Sequence, residues 1–265
     1  MHTIYFFSGT GNSMYVALEL AKRTDAQVKA LLKEKNFGQE GAVGFVFPVY
    51  MNGVPKPVES FIDKSDFSKV SYLYAVMTHG GVPGRPEHHM NQILSKKNRC
   101  LDDCHNLKMI NNTPKGVAPK FLMHLDWEEE ITREKIDDMI CCADAEIEKI
   151  SVKINNRSAE FKEEVTLGTN KPSFMNKLLW KIKSSPKLTF HVDDTCTGCG
   201  ICETVCLSQR IKVDKKPIWV KDECYYCYAC FNFCPQQAIY VKHYAKKKGR
   251  YHYQTITARQ IASQK

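Results

Sequence analysis

Eight of the twelve cysteines in this 265-residue chain fall into two matching runs: Cys196, Cys199, Cys202 and Cys206, then Cys224, Cys227, Cys230 and Cys234. Each run reads C-x2-C-x2-C-x3-C, a spacing that wraps a short chain around a cubane iron–sulfur cluster. Thiolates suit soft iron, and two-residue gaps let a tight loop offer successive sulfurs to one cluster. A short loop does not comfortably enclose a cube by itself, so a fourth ligand must come from farther away. Disulfides are the other use of paired cysteines, but they belong to secreted chains and leave the duplicated spacing unexplained. The pattern points to one-electron chemistry in reducing, cytoplasmic surroundings.

The duplication extends beyond sulfur. An offset of 28 residues superimposes Asp194 on Asp222, Gln209 on Gln237, Ile211 on Ile239 and Val213 on Val241. Such a repeat predicts a pseudo-two-fold module with a cluster in each half, sheathed by Ile201, Val205, Ile211, Ile218, Phe231 and Ile239. This region resembles the bacterial-type two-cluster ferredoxins. In that family the fourth cysteine of each run serves the other cluster. The resemblance therefore implies that Cys196, Cys199, Cys202 and Cys234 bind one [4Fe–4S], and Cys224, Cys227, Cys230 and Cys206 the second. One departure is visible: Pro235 follows Cys234, but Leu207 follows Cys206.

A second set of chemical residues lies near the start of the chain. The apolar run Ile4 to Phe7 reads as a buried strand and meets Ser8-Gly9-Thr10-Gly11-Asn12-Ser13. An apolar pattern of helical period then follows through Met14, Val16, Ala17, Leu20 and Ala21. Strand, glycine and hydroxyl loop, then helix is the architecture of a phosphate site, because backbone N–H groups and the helix dipole face an anion. A Walker A loop would need a lysine, and a Rossmann fingerprint a glycine where Met14 stands. The hydroxyl density at Ser8, Thr10, Gly11, Asn12 and Ser13 instead resembles the phosphate loop of flavodoxins, which holds the monophosphate of FMN.

The elements that must position these loops follow. Val43 to Val49 and Tyr72 to Met77 read as apolar strands, with helices near 56–64 and 86–97 and an imperfect strand from Cys100 to Ile110. Strands alternating with helices imply a parallel sheet, whose ligands bind at the carboxyl ends of strands. The flavodoxin resemblance implies a five-stranded, doubly wound α/β sheet. It places Tyr50, Met51, Asn52 and Gly53 on one side of the isoalloxazine and Thr78, His79, Gly80 and Gly81 on the other. Tyr50 would stack on the ring or cap its strand, and His79 would donate a hydrogen bond or a charge. Residues 131–153 read as a helix. Cys100, Cys104, Cys141 and Cys142 read as structural thiols, and His88-His89 lack companion ligands for a metal.

Residues 1–165 hold 21 Lys and Arg against 23 Asp and Glu, residues 166–186 four lysines and no acid, and residues 187–265 thirteen against six. This divides the chain into a flavodoxin-like domain (1–165), a basic linker with a short amphipathic helix (166–186), a small α+β ferredoxin domain (187–245) and a basic tail (246–265). The tail interleaves Lys242, Lys246, Lys247, Lys248 and Arg250 with Tyr244, Tyr251 and Tyr253, and reads as solvated or as a dock for an acidic redox partner. No signal peptide or transmembrane segment is expected, and no nucleic-acid partner. The combined resemblance implies an electron carrier that passes electrons between FMN, two [4Fe–4S] clusters and external redox proteins of anaerobic type. An FMN-dependent reductase of a small organic substrate, fed by the clusters, is the first alternative. A redox-responsive nucleic-acid binder acting through the basic tail is the second. No catalytic constellation of paired carboxylates or nucleophile and base is visible.

Overall fold

The computed structural model describes residues 1–36, 41–114, 131–159, 189–242, 246, 247 and 249–265. The expected basic linker at 166–186, together with Tyr244 and Lys248, lies outside them.

The first apolar run forms β1 (His2–Phe6), and α1 (Asn12–Thr24) follows with Met14, Val16, Ala17 and Leu20 turned into the core. Three further strands, β2 (Gln27–Ala30), β3 (Gly41–Pro48) and β4 (Val70–His79), and finally β5 (Asp103–Lys108), complete a five-stranded sheet. Every pairing is parallel and the order is β2-β1-β3-β4-β5. That is the flavodoxin-like order of doubly wound α/β sheets. The central strands are nearly continuous apolar runs because helices cover both faces. On one side α2 (Lys56–Asp63) packs beside α3 (Pro86–Ser95), and each carries a proline in its first turn. The long α4 (Arg133–Asn155) packs along α1, and Tyr15 of α1 donates its hydroxyl proton to Asp144.

The sequence pattern missed β2. Its four residues alternate weakly and sit at an open edge, with Gln27 exposed and the rest half-buried. Cys100 precedes β5 rather than lying on it, and Cys100, Cys141 and Cys142 are exposed, not packed as structural thiols.

The duplicated region forms a second, smaller unit. Two short helices, α5 (Ile201–Val205) and α6 (Ala229–Asn232), stand 28 residues apart. Around them lie two antiparallel pairs: β6 (Phe190–Val192) with β9 (Ile239–Val241), and β7 (Ile211–Asp214) with β8 (Lys216–Trp219). The repeat is written into the backbone. Gly198 and Tyr226, Gly200 and Tyr228, and Gln209 and Gln237 are pairs at the same offset, and all six residues have positive φ. Glycine makes that conformation easy in the first half. In the second half tyrosines adopt it at a steric cost, so the surroundings must hold them there.

The two units share one core. Val205, Leu207, Ala229 and Phe233 belong to the same buried cluster as the strands of the large sheet. Residues 249–265 join it, which corrects their reading as a solvated tail. Tyr251, Tyr253, Ile256 and Ile261 are buried, and Tyr253 stacks on Tyr15 with ring centres 4.3 Å apart. A short helix, α7 (Ala258–Ala262), starts from a capping box between Thr257 and Gln260. Among the described residues no helix is long and apolar enough to cross a membrane.

The sheet interior leaves no room at Gly44, where a Cβ would fall 2.2 Å from the Tyr74 ring. Gly44→Ala is expected to lower stability by about 1–3 kcal/mol through overpacking. The reading is a lower urea midpoint at unchanged slope; an unmoved midpoint would contradict this packing.

Candidate functional site

The carboxyl ends of β1, β3, β4 and β5 border one cavity, on the switch side of the sheet where strand order reverses. Ser8, Gly9, Thr10, Asn12, Ser13, Tyr50, Thr78, His79 and Gly80 line it, and so do Pro48, Val49 and residues 110–113. Gly11, Met51, Asn52, Gly53 and Gly81 do not.

The floor is the start of α1. Gly11 occupies the cap position with φ 105°, no side chain caps the first turn, and no acid stands within it. The helix therefore presents free N–H groups and a positive dipole end toward the cavity. The surrounding hydroxyls are held in place by neighbours. Ser8 Oγ accepts from Gly11 N at 3.1 Å, Ser13 Oγ and Thr78 Oγ1 lie 2.8 Å apart, and Asn112 Nδ2 donates to Thr10 Oγ1. Asn12 Nδ2 donates to Ile110 O at 3.1 Å, while its Oδ1 is buried with no partner among the described residues. An uncharged, donor-rich floor beside an unused buried acceptor fits a phosphorylated polyol such as the FMN side chain.

The walls are two turns of defined geometry. Tyr50 N and O bond Gly53 O and N at 3.1 and 3.0 Å around Met51 (φ 50°) and Asn52 (φ 62°), a tight mirror-image turn. Asparagine tolerates that conformation and methionine does not, so strain is stored at the rim, where Met51 is 59% exposed. His89 steadies this turn: its Nδ1 accepts from Val54 N at 3.0 Å. Opposite, His79 Nδ1 lies 2.5 Å from Gly81 O and donates to it. Burial holds the His79 pKa below the ordinary histidine value. At pH 7 the ring is therefore a neutral hydrogen-bonding group and not a charge.

The cysteines line two cavities. Cys196, Cys199, Cys202 and Cys234 border one, and Cys206, Cys224, Cys227 and Cys230 the other. Each set takes three sulfurs from one run and a fourth from the other. Among the described residues no three His, Cys, Asp or Glu side chains are placed to hold a metal ion, and the two cysteine sets come together as cavity linings. Burial pushes the Cys202 thiol up to about 11, the Cys227 thiol up to about 12, and Cys230 well above its usual range. Burial therefore favours the neutral thiols, and thiolates in such a space would need a cation to offset their desolvation. Backbone amides already aim at sulfur: Arg210 N at Cys206 Sγ and Ala238 N at Cys234 Sγ, both 3.3 Å, again 28 residues apart. Arg210 Nε and Trp219 Nε1 are buried without a partner among the described residues, and both residues line the second cavity. Unused donors beside a thiolate cage suit an anionic cluster.

The two kinds of cavity touch. A Cβ on Gly9 would fall 2.6 Å from both Cβ and O of Cys227, so only glycine lets the loop and the cysteine turn meet. Phe7 packs edge-on against Tyr50 and Tyr225 at 6.2 and 6.1 Å. Tyr228 lines both the strand-end cavity and the cavity of Cys206, Cys224, Cys227 and Cys230. Asn232 Nδ2 donates to Asn112 O at 3.1 Å across the same boundary.

Residues 249–265 brace the junction from behind. Gln264, with no exposed surface, accepts from Ser8 N at 2.9 Å and donates to Ser8 O at 2.8 Å. Tyr253 N donates to Thr10 O at 2.8 Å, and Lys265 Nζ donates to Cys206 O at 2.9 Å. Sequence reasoning missed Tyr228, Asn111–Thr113 and Gln264. The polar run closing β5 was the available signal for the second of these; the other two are tertiary contacts without a local pattern.

No protein-family model and no curated protein sequence matches the chain. Among solved structures, the chain is similar to azoreductase from Bacillus anthracis str. Sterne, at 11% identity and TM-score 0.36, over 58% of this chain and 100% of that one. It is similar to a protein described as a flavoprotein from Bacteroides uniformis ATCC 8492, at 14% identity and TM-score 0.33, over 53% and 96%. A third is rubredoxin oxygen:oxidoreductase from Desulfovibrio gigas, at 13% identity and TM-score 0.31, over 57% of this chain and 36% of that one.

Gln264→Ala would leave the Ser8 N–H and C=O buried without partners. The expected cost is about 1–3 kcal/mol per stranded group, read in urea unfolding of the full chain. A midpoint equal to that of the parent would show that the bracing bonds carry no weight.

Proposed function

We propose that the protein is an electron-transfer flavo-iron–sulfur protein that joins FMN at the strand ends to two [4Fe–4S] clusters and to external redox proteins. The observation that carries this reading is Tyr228, a wall common to the strand-end cavity and to one cysteine cage. When bound, FMN exchanges one or two electrons and each cluster exchanges one, so the pair would link two-electron and one-electron partners.

In this reading the chain's residues do the positioning. The open N–H groups of α1, with Ser8, Thr10 and Ser13, hold the phosphate, and Asn12 Oδ1 accepts from the polyol. Tyr50 and the Thr78–Gly81 turn flank the ring, with neutral His79 as a hydrogen-bonding neighbour. Cys196, Cys199, Cys202 and Cys234 hold the outer cluster, and Cys206, Cys224, Cys227 and Cys230 the one beside the flavin. Phe7, Tyr225 and Tyr228 keep water from the boundary, which limits solvent reorganisation around a moving charge. The positive balance of residues 187–265 suits an acidic redox partner by steering. Of the basic and aromatic residues that suggested nucleic-acid binding, Arg250, Tyr251 and Tyr253 are engaged inside the fold.

Anaerobic purification with iron, sulfide and flavin analysis tests the cofactors: about eight irons, the sum of two cubanes, and stoichiometric FMN are expected. Ligand exchange between runs has its own signature. Cys234→Ser and Cys196→Ser should remove the same cluster signal in electron paramagnetic resonance, and Cys206→Ser and Cys224→Ser the other. Loss of the Cys224 signal in Cys234→Ser would overturn the crossed assignment. Reductive titration followed by acceptor screening separates carrier from reductase: rapid flavin reoxidation by one small molecule, and not by redox proteins, would make the chain an enzyme.

A further inference from the structure

Arg250 occupies an unusual place for an arginine. Its guanidinium lies over the Phe231 ring, 3.8 Å from the centroid, and is spent on backbone carbonyls. Nη2 donates to Gln237 O at 2.8 Å, to Ile239 O at 2.6 Å and to Lys246 O at 2.8 Å; Nε donates to Lys246 O at 3.1 Å, and Nη1 to Phe231 O. Among the described residues none of its partners is a carboxylate, so its charge is not cancelled on the spot. The carbonyls it gathers straddle Cys234, three residues before and three and five after. Ile239 lines the cavity of Cys196, Cys199, Cys202 and Cys234, and Arg250 lines a further cavity together with Cys234. Burial pulls its pKa down to about 10, which still leaves it protonated at neutral pH.

We propose that Arg250 is the resident counter-charge of the cluster held by Cys196, Cys199, Cys202 and Cys234, and that it raises that cluster's reduction potential. This rests on reading the two cysteine cages as [4Fe–4S] sites. A thiolate-ligated cluster is anionic, and reduction adds one electron to it. A fixed cation nearby stabilises the reduced form more than the oxidised form, so the potential rises. Surface lysines are screened by salt, whereas a partly buried charge seated on an aromatic face is screened far less. The second cage has Arg210 as its own lining cation and serves as an internal reference.

The test uses the anaerobic holoprotein with redox titration followed by electron paramagnetic resonance, for the parent, Arg250→Gln and Arg250→Lys. Arg250→Gln keeps some donors and removes the charge; Arg250→Lys keeps the charge and removes most donors. The expected result is a fall in the potential of the Cys234 cluster in Arg250→Gln, a smaller fall for the other cluster, and a potential near that of the parent in Arg250→Lys. Equal falls in both variants would assign the effect to the lost carbonyl bonds and overturn the proposal, as would an unmoved potential in Arg250→Gln. Should Arg250→Gln lose its iron, Arg250→Lys decides alone, because a fall there also overturns it. A parent chain without iron refutes the cluster reading itself, before any variant is compared.

Discussion

The constraint on which this structure depends is the close approach of Gly9 to Cys227. A loop that faces an anion at a helix start must leave its backbone open, and a turn that offers thiolates must leave its sulfurs converging. Here the two meet with no side chain between them, since a single methyl group at Gly9 would overlap Cys227. Everything around the contact serves it. Phe7 fixes Tyr50 and Tyr225 edge-on, Asn232 ties α6 to the Asn112 carbonyl, and Gln264 grips Ser8 from behind. Each hydrogen bond or ring contact among these is worth of order 1 kcal/mol net, and stranding a buried partner costs more. Together they hold an approach that neither unit would make alone.

The repeat explains why the second unit can offer two cages in so few residues. Each half supplies a turn with two positive-φ positions, a helix of a single turn, and a cysteine whose sulfur accepts an amide proton from four residues on. A short helix cannot be stable on its own propensity. It becomes stable by packing on its twin and, through Val205, Leu207 and Phe233, on the large sheet. The exchange of the fourth cysteine between halves makes the cages interdependent. The tyrosines at 226 and 228 occupy the conformations that glycines hold in the first half. Tyr228 gains a place at the wall common to two cavities in return for that strain.

What the sequence made legible follows from how local each signal is. The apolar runs of β1, β3 and β4, the hydroxyl loop, and the spacing of eight cysteines are written in consecutive residues, and they convey the sheet and its loops directly. β2 was hidden because an edge strand of four residues buries too little to impose alternation. Arg250 and Tyr253 were read as surface charge and solvated aromatic. Apart from Lys246 O for Arg250, the partners that fix them lie 11 to 19 and 238 to 243 residues away respectively, and composition carries no trace of that. Gln264 is the extreme case: an ordinary polar residue whose two hydrogen bonds to Ser8 span 256 positions.

Charge completes the design. The Ser8–Ser13 loop presents hydroxyls, an amide and a helix end and carries no lysine, so an anion held there would meet dipoles and not full charges. The unit that holds the cysteines carries thirteen Lys and Arg against six acids over residues 187–265. In the proposed reading a phosphate and thiolate cages are both negative, and bringing them together at the Gly9 contact has a repulsive cost. Full positive charges on the cysteine side and dipoles on the loop side lower that cost. Lys265 at the Cys206 carbonyl and Arg250 beside Cys234 supply part of that positive charge. At the boundary, Phe7, Tyr50, Tyr225 and Tyr228 contribute aromatic, uncharged side chains.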